Sequence, residues 1–338
     1  MTDPGSRDSS GSVGLLLFLH DIAHGARGGW SPRNVLLGFV GTLPVYCLGR
    51  FLQGSDESAL VWLAGGVGTL FAAVLATVAL AMVAGAAGWE YARGCHFTIG
   101  ESLTLVRSRA RNLLCSVFSL PCAVLLFVLI IAAGTWFFGL FAKFLAVVWL
   151  VVVGFPLSLF AAALVLLGAP ALLLMLPASV LDCREAFDTV SRAMSYVRSR
   201  PVRFASGLLV GIAGALASAV VFAGFVTIVY ALLVGPYLWT VEHKSIGEAL
   251  AQSLARALEG FDPLWPFWDC ASTLSEAADG LTGVSSQLHA ATGRLVSASF
   301  VAALMSSMAR LYLLLRWEID RDPPASLIKA QETFEWSD

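Results

Sequence analysis

Long uncharged runs alternate with short polar segments along this chain. A helix needs about 20 mainly apolar residues to cross the roughly 30 Å of hydrocarbon in a bilayer. These runs are continuously apolar, which is typical of membrane helices and not of the alternating strands of a membrane barrel. The run Leu113–Leu181 holds one charge, Lys143, and is long enough for two helices that turn near the sequence FFGLFAKF. The pattern predicts an all-α integral membrane protein with six spans: Val35–Leu52, Ala59–Gly88, two within Leu113–Leu181, Phe204–Val234 and Leu295–Trp317.

The composition agrees with a membrane protein. Hydrophobic residues make up 58% of the 338 residues and charged residues only 13%, about half the share found in soluble domains. A chain with so few charges cannot cover itself with polar surface in water. The net charge of −2 gives no electrostatic attraction for nucleic acid, so we expect no nucleic acid among its partners.

The basic residues are distributed unevenly between the two sides of the predicted membrane domain. With both termini in the cytoplasm, fifteen of the 21 basic residues fall in cytoplasmic segments and five in external ones, while Arg310 lies inside the last span. Lys and Arg are enriched in cytoplasmic loops of membrane proteins, and the opposite orientation would invert this ratio. We therefore expect a multi-pass protein of the bacterial inner membrane with both termini cytoplasmic.

The predicted spans divide the chain into three parts. The N-terminal part is a cytoplasmic segment with a short amphipathic helix, the middle part holds the six spans, and the C-terminal part is a cytoplasmic tail. A larger extracytoplasmic helical loop connects the fifth and sixth spans. The predicted boundaries of the three parts are 1–34, 35–317 and 318–338, with the loop at 235–294.

A short amphipathic helix is predicted before the fifth span. Apolar residues recur there at three- and four-residue spacing, as on the buried face of a half-exposed helix. Asp182 and Glu185 have the spacing of a capping box, and Pro201 is expected to end the element. The predicted buried stripe consists of Ala186, Phe187, Val190, Ala193, Met194 and Val197.

The same design occurs earlier in the chain. The tetrapeptide Val-Arg-Ser-Arg is found at 106–109 and again at 197–200, each time before a long uncharged run. Thr98 and Glu101 form a second potential capping box. The predicted buried face of this copy holds Leu103 and Val106. We infer three hairpin-like repeats, each entered by an amphipathic helix at the membrane interface.

Arginines surround both amphipathic helices and the starts of the spans that follow them. A basic residue near a cytoplasmic membrane surface adds about 1 kcal/mol of attraction to anionic lipid. Membrane lipids are therefore the first expected partner. The arginines expected at the lipid headgroups are Arg107, Arg109, Arg111, Arg184, Arg192, Arg198, Arg200 and Arg203.

Several of these motifs resemble a known family. The stretches IGESLTLVRSRARNLLCSVFSLP, GFPLSLFAAALVLLGAPALLLM and LPASVLDCREAFDTVSRAMSYVRSRPVRF are similar to a family of uncharacterised bacterial multi-pass integral membrane proteins. The closing YLLLRWEID is similar to the C-terminal end of that family. More distantly, the chain resembles the membrane domain attached to some glycerophosphodiester phosphodiesterases, but we expect no catalytic domain. The resemblance covers residues 85–325 and implies a membrane fold without supplying an activity.

The external loop carries a candidate partner surface. Its tryptophans lie beside prolines, as interfacial aromatic residues do, and its leucines recur every seven residues, as in a coiled-coil seam. We expect the last helix to extend outward through this seam, which packs either on a helix at 245–259 or on a partner membrane protein or a second copy. The candidate partner-interface residues are Trp265, Trp268, Leu274, Leu281 and Leu288.

The sequence HDIAH is the best metal-like pattern in the chain. His20 and His24 share a helical face, and Asp21 lies where the zinc-protease motif has its general-base glutamate. Aspartate is one methylene shorter than glutamate, and no third ligand is evident. A polar stripe on an interfacial helix explains the pattern more simply, so we expect no metal ion and no other cofactor.

Three functional hypotheses are compatible with the sequence. No Asp, Glu or His lies within a predicted span, which disfavours a proton-coupled transporter because such residues mark proton pathways. Arg310 lies about 10 Å from the inner end of its span, from where it is expected to reach lipid phosphates. We favour a non-enzymatic scaffold or accessory subunit that organises lipids or partner proteins. The alternatives are a transporter or permeation pathway for a neutral or lipidic solute, and a membrane metallohydrolase that uses HDIAH.

Overall fold

A computed structural model of the protein describes residues 14–53, 59–94, 97–182, 185–241 and 282–321. Nearly all residues in these ranges are helical, and no strand occurs within them. A 3₁₀ segment, Ala26–Trp30, follows the first helix, and a π-helical segment, Leu150–Gly154, precedes the sixth. The α-helices are α1 (Leu15–Gly25), α2 (Pro32–Gln53), α3 (Ala59–Arg93), α4 (Ile99–Phe141), α5 (Lys143–Trp149), α6 (Phe155–Leu181), α7 (Ala186–Ser199), α8 (Pro201–Val241) and α9 (Thr282–Asp320).

Among the described residues, five helical stretches are long and apolar enough to cross a bilayer, which confirms the all-α membrane fold class. The predicted first span lies in α2, which is not one of the five, so the count of six spans and the hairpin repeats stay predictions. The five stretches are Gly65–Arg93, Ile99–Phe141, Lys143–Leu166, Pro201–Val226 and Gly293–Asp320.

Helices α4 and α6 form a long hairpin, as the sequence predicts. The chain turns at Ala142, whose extended backbone (φ −163°, ψ 139°) interrupts the helix inside FFGLFAKF. Near the tip, the Trp149 indole covers Gly134 so closely that a Cβ on this glycine would lie 2.1 Å from the ring. Between residues 121 and 166 the side chains are mostly apolar and exposed, as expected for a hairpin surrounded by lipid.

Helix α9 lies at the centre of the bundle. It contacts α1, α2, α3, α6, α7 and α8, and most of its side chains between Ala298 and Leu315 are buried. Small residues allow this close approach: a Cβ on Gly38 of α2 would lie 2.7 Å from the Ala298 carbonyl oxygen. The last helix is therefore the common packing partner of most of the other helices, a role that its hydropathy alone does not reveal.

The N-terminal segment, α1 with the 3₁₀ segment, packs along α8 and α9. Phe18 and Ile22 are fully buried, and they pack over glycines of α8. A Cβ on Gly207 would lie 2.9 Å from Ile22 Cδ1, and a Cβ on Gly214 would lie 3.0 Å from Ala26 Cβ. The predicted short helix exists, and its apolar face packs on other helices of the bundle.

The capping box at the start of α4 is confirmed. The Glu101 amide donates to Thr98 Oγ1 (3.3 Å), and the Thr98 amide donates to the Glu101 carboxylate (2.7 Å). Val106 is buried as predicted, but Leu103 is 51% exposed. The buried face of this helix runs through Ser102, Val106 and Leu113, and Leu103 lies beside this face.

Two predictions about α7 are wrong. Phe187, assigned to the buried stripe, is 83% exposed, and the fully buried side chains of this helix are Thr189, Ala193 and Tyr196. The proposed Asp182–Glu185 capping box is absent, since Glu185 caps α7 without a side-chain hydrogen bond. The carboxylate of Asp182 is instead engaged by side chains of α7 and α9.

The two Val-Arg-Ser-Arg copies have different structures. The first continues without a break into α4. In the second, α7 ends at Ser199, Arg200 leaves the helical region (φ −136°, ψ 60°), and Pro201 begins α8. Proline thus ends the amphipathic helix as predicted, because its ring is tolerated only in the first turn of the next helix.

Candidate lipid-headgroup surface

The acidic side chains of the described ranges gather at one end of the bundle, which we call the charged end. Here α3, α6 and α9 end, while α4, α7 and α8 begin. Ion pairs and hydrogen bonds at this end join most of the helices that meet there. The eight acidic residues are Asp21, Glu90, Glu101, Asp182, Glu185, Asp188, Glu318 and Asp320.

Asp182, the residue after α6, joins three helices through one oxygen. Its Oδ2 accepts from Arg192 Nη1 of α7 (2.8 Å) and from the Tyr312 hydroxyl of α9 (3.1 Å). Arg316 Nε of α9 lies 3.2 Å from the same oxygen, and both Asp182 and Arg316 are largely buried. Burying the Asp182 carboxylate or the Arg316 guanidinium alone would be costly. Here the opposite charges lie side by side and compensate each other.

Two further pairs connect α9 to α7 and α8. Arg203 at the start of α8 forms an ion pair with Glu318, whose side chain is buried. The Tyr196 hydroxyl of α7 donates to Asp320 at the end of α9. Burial and, to a smaller extent, this hydrogen bond raise the pKa of Tyr196 above its usual value, so the phenol keeps its proton and remains a donor.

Arg33 ties the start of α2 to the connection between α3 and α4. Its guanidinium donates to Glu90 (2.8 Å) and to the Phe97 carbonyl. The Glu90 carboxylate in turn accepts from the Phe97 amide (3.1 Å). The Phe97 carbonyl, the Phe97 amide and the Glu90 carboxylate thus all form hydrogen bonds within one small network.

Four of the predicted lipid-facing arginines are exposed. Arg107 and Arg111 lie on the outer face of α4, and Arg198 and Arg200 lie at the end of α7. None of the four forms an ion pair with any residue that the structure describes. Val202, next to them in sequence, is 78% exposed, so positive charge and apolar surface occur together, as they do on surfaces that face lipid headgroups.

The structure places three other predicted lipid-facing arginines in internal contacts. Arg109 donates to the Val180 carbonyl at the end of α6 (2.7 Å). Arg192 pairs with Asp182 and Asp188, and Arg203 with Glu318. Arg184 lies outside the described residues. The sequence cannot distinguish Arg109 and Arg203 from the exposed arginines, because their partners Val180 and Glu318 lie far away in the chain, whereas the Asp188–Arg192 spacing is a local signal.

The HDIAH residues lie on α1 beside α3 and α9. His20 is exposed, with its Nδ1 3.9 Å from the Asp21 carboxylate, and the Asp21 carboxylate accepts from the Tyr91 hydroxyl (3.2 Å). His24 lies between two guanidinium groups: Arg27 Nη1 is 2.7 Å from its Nε2, and Arg310 Nη1 is 3.2 Å from its Nδ1. No group of three or more His, Cys, Asp or Glu side chains suited to a metal occurs among the described residues.

Arg310 takes part in a contact network that the sequence does not predict. Its guanidinium donates to the Asp21 carbonyl oxygen (3.2 Å) and lies over the Tyr91 ring at 5.1 Å. We expected this side chain to extend toward lipid phosphates, but it points to α1 and α3. In the sequence, Arg310 stands out as a lone charge inside an apolar run. Its contact partners cannot be predicted from that pattern.

The candidate partner surface lies mostly outside the described residues. This is the case for Trp265, Trp268, Leu274 and Leu281. Leu288 belongs to α9, which begins at Thr282, thirteen residues before the predicted start of the last span. The last helix therefore begins earlier than its predicted span, and both its extension through the whole seam and the seam itself stay predictions.

Comparisons of this chain with protein-family models, with curated proteins and with solved structures find no match.

Proposed function

We propose that this protein is a non-enzymatic scaffold or accessory subunit of the bacterial inner membrane that gathers anionic phospholipid at its charged end. The observation that carries the proposal is the set of four exposed arginines, Arg107, Arg111, Arg198 and Arg200, without ion-pair partners among the described residues. Most acidic side chains at the same end are engaged internally. The surface that remains is therefore positive.

The position of these arginines supports lipid as the partner. They lie where helices enter the apolar part of the chain, which is the level of the headgroups in a bilayer. A basic residue near an anionic membrane surface contributes about 1 kcal/mol, so four together favour anionic over neutral lipid by a few kcal/mol. The orientation follows from the same charges, because basic residues are retained on the cytoplasmic side.

The geometry gives less support to the two alternatives. In the metallohydrolase hypothesis, a cation at His24 would meet the guanidinium groups of Arg27 and Arg310 at the two ring nitrogens. In the transport hypothesis, a pathway beside α9 would have to separate backbone packed so closely that a Cβ on Gly29 would lie 2.7 Å from Ala303 Cβ. A scaffold requires neither a metal site nor a pathway.

Measurement of lipid enrichment around the reconstituted protein tests the proposal. In bilayers with equal phosphatidylglycerol and phosphatidylcholine, we expect phosphatidylglycerol to be enriched around the wild type, as seen by spin-labelled lipids. The enrichment should disappear when Arg107, Arg111, Arg198 and Arg200 are all changed to Gln, and it should weaken in high salt. Lys143→Gln at the hairpin tip is the control and should behave like the wild type. Equal enrichment around the fourfold variant and the wild type would refute the proposal.

A further inference from the structure

The imidazole of His24 is contacted by a guanidinium group at each of its two nitrogens. Arg27, in the 3₁₀ segment, places Nη1 2.7 Å from Nε2, and Arg310, on α9, places Nη1 3.2 Å from Nδ1. Three positively charged or hydrogen-donating groups thus converge at one point between α1 and α9. We call these three residues the His24 cluster.

The His24 cluster has more donors than acceptors. A neutral imidazole has one nitrogen that accepts and one that carries a proton, while a guanidinium only donates. One of the two arginines therefore faces an N–H group. Burial, Arg310 and Arg27, in that order, lower the pKa of His24 from its usual value of 6.5, which keeps the ring neutral and leaves the mismatch in place.

Among the described residues, no carboxylate forms an ion pair with the arginines of the cluster, although the Asp21 carboxylate lies close enough to attract His24 and Arg310. Elsewhere at the charged end the enclosed guanidinium groups of Arg33, Arg203 and Arg316 have a carboxylate partner, in Glu90, Glu318 and Asp182. Within the part of the chain that the structure describes, neither Arg27 nor Arg310 forms an ion pair. The nearby Asp21 carboxylate accepts from Tyr91 and lies next to His20.

The Arg310 guanidinium is partly enclosed and contacts a carbonyl oxygen, the His24 ring and the Tyr91 ring, but it forms no ion pair with a described carboxylate. Partly enclosed positive charge is stabilised by a counterion, so an anion is the ligand that suits the cluster. The cluster is accessible from outside, because the side chains of Arg27 and His20 are exposed. A phosphate group fits the chemistry best, since its oxygens accept several hydrogen bonds and Arg binds them in a bidentate manner. Leu16 and Trp30, on the same N-terminal segment, are also exposed.

We propose that His24, Arg27 and Arg310 form a binding site for one phosphate group, supplied by a phospholipid headgroup or by inorganic phosphate. The site is separate from the four exposed arginines of α4 and α7. It holds a single phosphate at a defined position, whereas the exposed arginines attract many lipids without fixed geometry.

Native mass spectrometry of the whole chain tests the lipid source. Protein released from nanodiscs of equal phosphatidylglycerol and phosphatidylcholine should retain one phosphatidylglycerol. Arg27→Gln should lower this retention about tenfold, the effect of losing one charge-assisted hydrogen bond. Arg321→Gln is the matched control, because it removes one exposed charge at the same end of the molecule and should retain the lipid. Equal retention by Arg27→Gln and the control would overturn the lipid assignment.

Titration of the His24 imidazole by NMR tests the inorganic source. In nanodiscs of phosphatidylcholine alone, potassium phosphate should raise the pKa of His24 relative to potassium chloride, because a bound anion stabilises the imidazolium form. This result without phosphatidylglycerol retention would assign the site to free phosphate. If phosphate leaves the His24 pKa unchanged and phosphatidylglycerol is not retained, the site does not exist. Either outcome is independent of the lipid enrichment measured for the exposed arginines.

Discussion

At the residue scale, one carboxylate stabilises the charged end of the bundle. Asp182→Asn keeps the size of the side chain but removes the charge that faces Arg192 and Arg316. Removing one partner of a buried ion pair costs about 3–5 kcal/mol, because the other charge is left uncompensated. We therefore expect this variant to lose about 3 kcal/mol of unfolding free energy, measured by thermal or denaturant unfolding in detergent micelles.

Glu185→Gln is the control for Asp182→Asn. This residue lies three positions further along, is exposed, and makes no side-chain capping bond to α7. Its replacement should change stability by less than about 0.5 kcal/mol, as is usual for surface positions. A stability loss of similar size in both variants would show that the effect reflects net charge at this end and not the contacts of Asp182.

The same pair of residues shows how far sequence reasoning reaches at this scale. Asp182 and Glu185 have capping-box spacing, as do Thr98 and Glu101, but only the second pair forms the box. The three-residue spacing shows only that a capping box is possible. Asp182 is used differently because Arg316 and Tyr312, more than 100 residues away, compete for its carboxylate, and no local pattern contains that information.

At the scale of elements, the N-terminal segment depends on glycine for its place beside α8 and α9. A Cβ on Gly29 would lie 2.7 Å from Ala303 Cβ and 2.8 Å from the Ser299 carbonyl oxygen. Because both neighbours are buried residues of α9, Gly29→Ala should separate the 3₁₀ segment from α9 at a cost of about 1–3 kcal/mol. Differential scanning fluorimetry in micelles would measure the loss.

Gly224→Ala is the matched comparison for Gly29→Ala. Gly224 lies inside α8, and a Cβ there would meet nothing within 4 Å. The change should raise stability by about 0.4–1 kcal/mol, since alanine restricts the unfolded chain and is a better helix former. If Gly29→Ala were as stable as Gly224→Ala, the N-terminal segment would not be packed against α9 as described.

Element prediction succeeded where the signal is local and failed where it depends on packing. The turn between α4 and α6 was predicted from the single charge in a long apolar run, and it occurs at Ala142 in that region. The predicted buried stripe of α7 is right for Ala193 and for Val190, Met194 and Val197, which pack against the core. It wrongly includes Phe187 and omits the buried Thr189 and Tyr196. Hydrophobic periodicity cannot indicate which side a small or hydroxylated residue faces.

At the scale of the whole molecule, charge asymmetry is the feature that the sequence reveals best. All acidic residues of the described ranges lie at one end, and the basic clusters near residues 107 and 198 lie there too. The central position of α9 was not predictable, because its alanines and serines have no distinctive pattern until the other helices surround it. Small residues permit close packing, but they do not specify the partner.

The proposed orientation of the molecule in the membrane rests on the position of these charges and can be measured. In a variant whose native cysteines are replaced, Lys143→Cys puts a thiol at the exposed hairpin tip, and Ser199→Cys puts one at the exposed end of α7. Because arginines are retained on the cytoplasmic side, a membrane-impermeant maleimide should label the first variant in intact cells and the second only after permeabilisation. The reverse result would place the exposed arginines on the external leaflet, and equal labelling of both would show that α4 does not cross the membrane.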